Sequence, residues 1–324
     1  MELKDLLPLE FYATADDLDE PILRDGVVVC FFLNQTIPKQ SEAAQVVFDE
    51  WLLKVPEKLL LDGGWYDTGG EDRWVKKGSI NRLRNSITSK KSQTGTSFAT
   101  LGVSPYSAPD YQFEMQLEDH SNPSVHFGET KTSYIEMRFP TQFVETENLC
   151  DELVDWVKFI AKKLDYTSAY ASIALQGSNT DRGDVYRCKH IPELAFRYPG
   201  LDIHDNSSSC LSILGKSRGA RWLTLLGSSL VETLEGEAKL KEELDPDIDV
   251  IKAGDGLMLR ASPCPELGDM NREGVPKTLR SIAHAIEPVT YFHSSIGFYL
   301  TCDPDKRDAE GYRWERRFWK GEGE

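Results

Sequence analysis

Residues Val27 to Leu33 read VVVCFFL, an unbroken apolar run of strand length. A strand with one wet face alternates apolar and polar side chains, so this run predicts a strand covered on both sides. It is the longest purely apolar stretch in the chain and falls far short of the roughly 20 residues needed to cross a bilayer. Carboxylates and Pro8 occupy the first eleven residues, where an export signal would need an apolar core. These features place the expected protein in the cytoplasm, neither secreted nor embedded.

A helix is predicted next over residues 41–60, where Ala44, Val47, Phe48, Trp51, Leu52 and Val55 recur at spacings of three and four and so share one face. Pro56 is expected to end or kink it. Tyr111 to Leu117 alternates as a strand should, and Tyr134 to Phe139 does so less cleanly. Residues 147–164 carry the clearest helical pattern, with Leu149, Leu153, Trp156, Val157, Ile160 and Leu164 on one face, acidic residues early and Lys162 and Lys163 late. Tyr166 to Leu175 then reads as a strand.

The order from residue 27 to 175 is strand, helix, strand, strand, helix, strand, the split βαβ order of ferredoxin-like folds. A similar order recurs after residue 220: a strand at 221–226, a helix at 228–244 broken by Gly236, short strands at 250–253 and 257–261, a helix at 275–286 and a last strand within 291–301. The expected fold class is α+β, with two tandem ferredoxin-like halves whose antiparallel or mixed sheets are flanked by helices. The halves would be residues 1–180 and 181–324, separate or fused into one compact unit. Residues 61–109 are rich in Gly, Ser, Thr and Lys without a sustained period, and read as a loop insertion.

The composition is that of a globular protein, 40% hydrophobic and 28% charged, but the balance of 37 basic against 53 acidic side chains leaves a formal charge of −16. Such a field repels nucleic acid and anionic membranes and speeds encounter with basic partners. Many acidic proteins are acidic simply for solubility. Six cysteines spread along the chain include no CxxC pair, and in the cytoplasm they are expected as reduced thiols.

The catalytic inventory is thin. GxSxG, GxGxxG after a strand, GxxxxGK[ST] and HExxH do not occur. Cys188, His190, His204 and Cys210 are the right residue types for zinc, but their spacing matches no common zinc pattern; no metal and no cofactor are expected. The paired carboxylates lie in charged, turn-like surroundings, which suit solvated faces better than the desolvated clefts of acid–base catalysis. The tail Tyr312 to Lys320 interleaves arginine with aromatics as single-strand binders do. A docked segment is the better reading, with Trp314, Phe318 and Trp319 packed and the arginines paired to acidic surface.

The segments Gly200 to Ile203, Arg218 to Gly227 (RGARWLTLLG), Gly256 to Ala261 and Pro265 to Asn271 resemble the TsiV-type immunity family of type VI secretion systems. The resemblance is best between about residues 190 and 290, and RGARWLTLLG carries most of it. It implies an antidote that binds and blocks a secreted toxin, with no catalytic residues to carry over. The motif residues also have structural readings. Gly219 and Gly227 suit tight turns into and out of a strand, Arg221 and Asp269 could pair, and Asn271 could cap a turn.

An acidic antidote suits a basic type VI or Rhs-type toxin, with a nuclease as the plausible target and carboxylates standing in for phosphates; a lipase, an amidase or a pore-forming target stays open. The candidate contact residues are Asp16, Asp17, Asp19 and Glu20; Trp65, Tyr66 and Trp74; and Glu242, Glu243, Asp245, Asp247 and Asp249. Two other readings stay open. An enzyme of an unrecognised class would show a deep pocket lined by Asp202, His204, Arg218 or Asp269, and a structural adaptor would assemble through its sheets.

Overall fold

The computed structural model describes residues 9–12, 21–34, 37–62, 64–68, 73–75, 84, 87, 95–101, 107–117, 132–177, 181–204, 209–210, 213–292 and 295–319. The strands are β1 (Glu10–Tyr12), β2 (Pro21–Leu33), β3 (Gly64–Thr68), β4 (Arg73–Val75), β5 (Gly95–Leu101), β6 (Tyr111–Leu117), β7 (Ser133–Phe139), β8 (Tyr166–Gly177), β9 (Asp202–Ile203), β10 (Leu223–Leu226), β11 (Asp249–Ala253) and β12 (Gly256–Arg260). Among the described residues the helices are α1 (Ile37–Leu52), α2 (Glu57–Asp62), α3 (Glu147–Ala161), α4 (Asp181–Arg197), α5 (Ser228–Thr233), α6 (Glu237–Glu243), α7 (Lys277–Ala285), α8 (Gly297–Leu300) and α9 (Arg307–Glu315).

All twelve strands join one sheet in the order β11-β12-β10-β8-β2-β7-β6-β5-β3-β4, with β1 added to β2 and β9 to β8. Every pairing is antiparallel except β8 with β9. The fold is thus mixed α+β on a largely antiparallel sheet. The apolar run lies in β2, between β7 and β8, and is buried throughout. Because successive side chains point to opposite faces, Val27, Val29, Phe31 and Leu33 join the core that includes residues of α1 and α3, while Val28, Cys30 and Phe32 meet Tyr134, Tyr170, Cys210 and Ile213.

The helix signals translate directly into packing. Ala44, Val47, Phe48 and Trp51 of α1 are fully buried, and Leu52 and Val55 nearly so. The helix stops at Leu52 and Pro56 stands just before α2. On α3 the Thr146 hydroxyl accepts the Leu149 N–H at 3.3 Å, satisfying one of the free amides of the first turn. Cys150, Leu153, Val154, Trp156, Val157, Ile160 and Ala161 are its buried residues.

The structure departs from the expected architecture in two places. Residues 61–109 hold β3, β4 and β5, which extend the sheet from the edge of β6. Their Gly, Ser and Thr content is what suggested a loop. In the carboxy-terminal part, β10, β12 and β11 form an antiparallel run, but no strand closes a second unit among the described residues of 291–301, where α8 lies instead. Among the described residues a second complete unit is therefore not seen, and β8–β10 pairing makes the sheet continuous through both parts of the chain.

Candidate functional site

The second face of β6 and β7 is polar and yet buried. On β6, Gln112, Glu114 and Gln116 alternate with the core residues Tyr111, Phe113 and Met115, and all three are buried. On β7 the same face carries Tyr134, Glu136 and Arg138. Arg138 Nε donates to Glu136 at 2.5 Å, and Glu114 lies 3.6 Å from its Nη2. His204 Nε2 sits 2.9 Å from Glu136 Oε2 and 2.7 Å from Arg138 Nη2. The Tyr134 hydroxyl donates to Glu114. Burial works against charge on Arg138, but Glu136 and Glu114 outweigh it and hold the guanidinium charged. Burial, then Glu114, keeps the Tyr134 phenol protonated.

A second buried node lies alongside. Asp202 of β9 is 3.0 Å from Arg221 and 3.9 Å from Arg218, all three sealed from water. Burial alone would raise the Asp202 carboxyl; Arg221 and Arg218 overcome it and hold it below the ordinary carboxylate value. Arg218 donates to the Tyr170 hydroxyl at 3.2 Å, Arg317 donates to the Pro199 carbonyl at 2.7 Å, and the Arg317 guanidinium lies 3.6 Å from the Trp314 ring centre. Burial, then Arg221, pushes the Arg317 value well down.

These networks absorb most of the residues that would have lined an enzyme's pocket. Glu136 and Arg138 have no exposed side-chain surface, so a substrate reaching either must displace the packing above it. What such paired, inaccessible charges can do is specify one arrangement of β6, β7, β9 and the 217–222 segment. Asp269 lies apart, bound by Arg197 at 3.1 Å. The expected Arg221–Asp269 pair is replaced by Arg221–Asp202. The turn at Asn271 is capped the other way round, since Asp269 accepts the Asn271 backbone N–H at 3.0 Å. Gly219 has φ +88°, left-handed territory that suits glycine. Gly227 precedes α5, and a Cβ there would lie 2.3 Å from the Tyr166 carbonyl oxygen.

The four candidate zinc ligands do not form one cluster. Cys188 is bonded to Cys302, which corrects the expectation of reduced thiols throughout. His190 stacks on Phe11, His204 joins the Glu136 network, and Cys210 faces Gln116. No group of three metal-ligating side chains occurs among the described residues. The tail is docked: Trp314 and Phe318 are buried and Trp319 is half-buried. Arg316 pairs with Glu287 and Arg313 with Glu310, but Arg317 is internal rather than paired to acidic surface.

Of the predicted contact residues, Asp16, Asp17, Asp19 and Glu20 lie outside the described residues. Trp65 and Tyr66 fall on β3 and Trp74 on β4 at the far edge of the sheet, with Trp65 in register opposite Trp74. Glu242 and Glu243 end α6, and Asp247 and Asp249 lead into β11, the opposite edge; all four are exposed. Asp245 differs, being partly buried, 2.6 Å from Lys277 and accepting the Asp247 N–H. Sequence spacing carried no sign that Glu232 and Glu235 would join this region. Glu232 is in α5 and Glu235 lies between α5 and α6 at φ +62°; both are exposed. An apolar cleft of about 170 Å³ lies elsewhere, lined by residues including Lys54, Phe139, Phe143 and Trp156.

Taken together these features define an α+β protein with two buried charge networks and, among the described residues, exposed carboxylates on α6 and at the edge strand β11. The sequence matches the TsiV family, described as type VI immunity for VRR-NUC, over residues 48–318, and the chain belongs to that family. It is a type VI immunity protein. Its fold is similar to that of the Pseudomonas aeruginosa T6SS protein PA0821, with a TM-score of 0.76 and 18% identity over 97% of this chain and 87% of that one. No curated protein matches it in sequence. No described helix is long and apolar enough to cross a membrane.

Proposed function

We propose that this chain neutralises a VRR-NUC toxin by binding it one to one and covering its working surface, without transforming a substrate. Membership in an immunity family over residues 48–318 carries the reading. The acidic edge supports a basic target: Glu232, Glu235, Glu242, Glu243, Asp247 and Asp249 are exposed along the α5–α6 corner and β11. Carboxylates held on helix ends and an edge strand offer a nuclease cleft the charge it is built to meet in phosphate, and complementary fields raise encounter rates. A nuclease acts where nucleic acid is, which favours the cytoplasm. The Cys188–Cys302 bond pulls the other way, being typical of oxidising compartments; trapping thiols directly from cells tests the location.

The function is tested by co-producing the chain with the VRR-NUC protein encoded beside it. Growth should be restored only at equimolar or higher levels, with a stable complex on gel filtration. A complex that forms without rescue refutes neutralisation, and rescue at strongly substoichiometric levels refutes occlusion in favour of turnover.

A further inference from the structure

Cys150 of α3 and Cys264, just beyond β12, are both free, and their sulfurs stand 2.6 Å apart. Sulfur atoms in simple van der Waals contact stand about 3.5 Å or more apart, so two thiols held this close are already within the approach of a bond-forming pair. The approach is fixed by its surroundings. Arg260 reaches Asp151 on α3 at 2.7 Å and also donates to the Ser262 and Pro263 carbonyls. Trp222 Nε1 donates to the Ser262 carbonyl at 2.9 Å, and the Ser262 hydroxyl donates to the Cys264 carbonyl at 2.6 Å. The 260–264 segment is thereby pinned against the first turns of α3 with its cysteine directed at the helix. We propose that Cys150 and Cys264 are a redox-active pair that closes into a second disulfide by exchange with a low-molecular-weight disulfide such as oxidised glutathione.

The two cysteines have different parts. Cys264 is half-buried and is the sulfur an external disulfide can reach, while Cys150 has no exposed surface. Burial, and then the hydrogen bond to Cys264, hold the Cys150 thiol protonated above its ordinary value. The thiolate is the attacking species in exchange. Cys264 therefore attacks first: its thiolate displaces one glutathione thiolate and leaves a mixed disulfide on Cys264. The Cys150 sulfur then attacks Cys264 Sγ, its proton passes to solvent, and the second glutathione thiolate leaves. In sum, two protein thiols and one glutathione disulfide give one protein disulfide and two glutathione thiols. The new bond would tie α3 to the end of the β11–β12 hairpin, whose outer strand borders the acidic edge. The proximity of the two sulfurs does not depend on which toxin is bound.

The full-length protein, incubated with oxidised glutathione, acid-quenched, alkylated under denaturing conditions and digested, provides the test. The expected product is a peptide pair joining Cys150 to Cys264, with Cys30 and Cys210 as the remaining alkylated cysteines. In Cys150→Ser, glutathione should stay trapped on Cys264; in Cys264→Ser, Cys150 should take up none. Recovery of Cys150 and Cys264 as alkylated thiols in the wild type, with the Cys188–Cys302 peptide intact, would overturn the proposal, and so would glutathione remaining on wild-type Cys264 without closure. The wild-type measurement decides even if a variant folds poorly.

Discussion

Arg221 holds its Nη2 3.0 Å from the Asp202 carboxylate, and neither side chain is open to water. Arg218 and Arg317 share the same interior, so Asp202 is the carboxylate on which three guanidiniums converge. Removing one partner of a buried pair leaves the other charges uncompensated, which costs about 3–5 kcal/mol. Asp202→Asn should lose stability of that order in urea unfolding. A loss under about 1 kcal/mol would show that the node is not held by charge.

The same carboxyl sets an acid dependence. Its folded value is depressed, because Arg221 and Arg218 outweigh burial; an unfolded aspartate titrates near about 3.9. Below that point the unfolded chain binds the proton more readily than the folded one, so the contribution is complete above it and is lost as pH falls through the folded value. The stability difference between wild type and Asp202→Asn should hold from pH 7 to 5 and shrink below pH ~4. A difference that grew on acidification would contradict the assigned direction.

How legible this was from sequence varied with the kind of signal. The run at Val27–Leu33 and the helical spacing around Trp51 and Trp156 were readable because burial imposes period and apolarity together. β3 and β5 were not, since their glycines, serines and threonines satisfy a sheet through backbone pairing, which leaves no mark in apolar periodicity. Gln112, Glu114 and Gln116 alternate with the core residues as a solvent face would, and only the register of β6 with β7 places Glu114 opposite Glu136 and next to Arg138. The Arg221–Asp269 expectation failed for a related reason. Two complementary charges in separate family-like segments do not reveal that Asp202, brought alongside by the parallel β8–β9 pairing, stands nearer.

Cys188 and Cys302 are separated by 114 residues and join α4 to the segment after α8. Closing a loop of this length restricts the unfolded chain, and losing such a bond typically costs about 2–5 kcal/mol. Cys188→Ser and Cys302→Ser should each lower the unfolding midpoint in non-reducing buffer by similar amounts, and the double variant should fall no further than either. Clearly additive losses would mean that the two cysteines act separately.

Gly219 and Gly227 should fail as alanines for opposite reasons. At Gly219 the nearest atom to an added Cβ is Thr290 Cγ2 at 3.4 Å, so there is room, but φ is +88°. The left-handed backbone costs about 1–2 kcal/mol with a side chain. At Gly227 φ is −65°, ordinary for any residue, but the added Cβ would lie 2.3 Å from Tyr166 O and 2.7 Å from Thr167 O. Backbone must move, at about 1–3 kcal/mol. Gly219→Asn should recover part of the first loss, because asparagine tolerates this conformation, whereas Gly227→Asn should be no better than Gly227→Ala. Thermal melts of the four variants distinguish the two causes; equal rescue by asparagine at both positions would contradict them.

Asp247 and Asp249 are exposed beside β11, whereas Asp245 is engaged by Lys277 and by the Asp247 N–H. If the acidic edge guides a basic toxin to its place, reversing free charges should act on encounter and neutralising the engaged one should not. Mutating a rim charge changes the association rate and its salt dependence more than the dissociation rate. The double variant Asp247→Lys, Asp249→Lys should therefore bind the VRR-NUC partner with an association rate lower by about tenfold at low salt, a gap that narrows as added salt screens the field. Asp245→Asn should leave the association rate unchanged while weakening the turn into β11. Stopped-flow mixing at several ionic strengths reads all of this. An association rate unaltered by the double reversal would move the contact surface away from this edge, leaving the Trp65–Trp74 strands at the far end of the sheet as the next place to substitute.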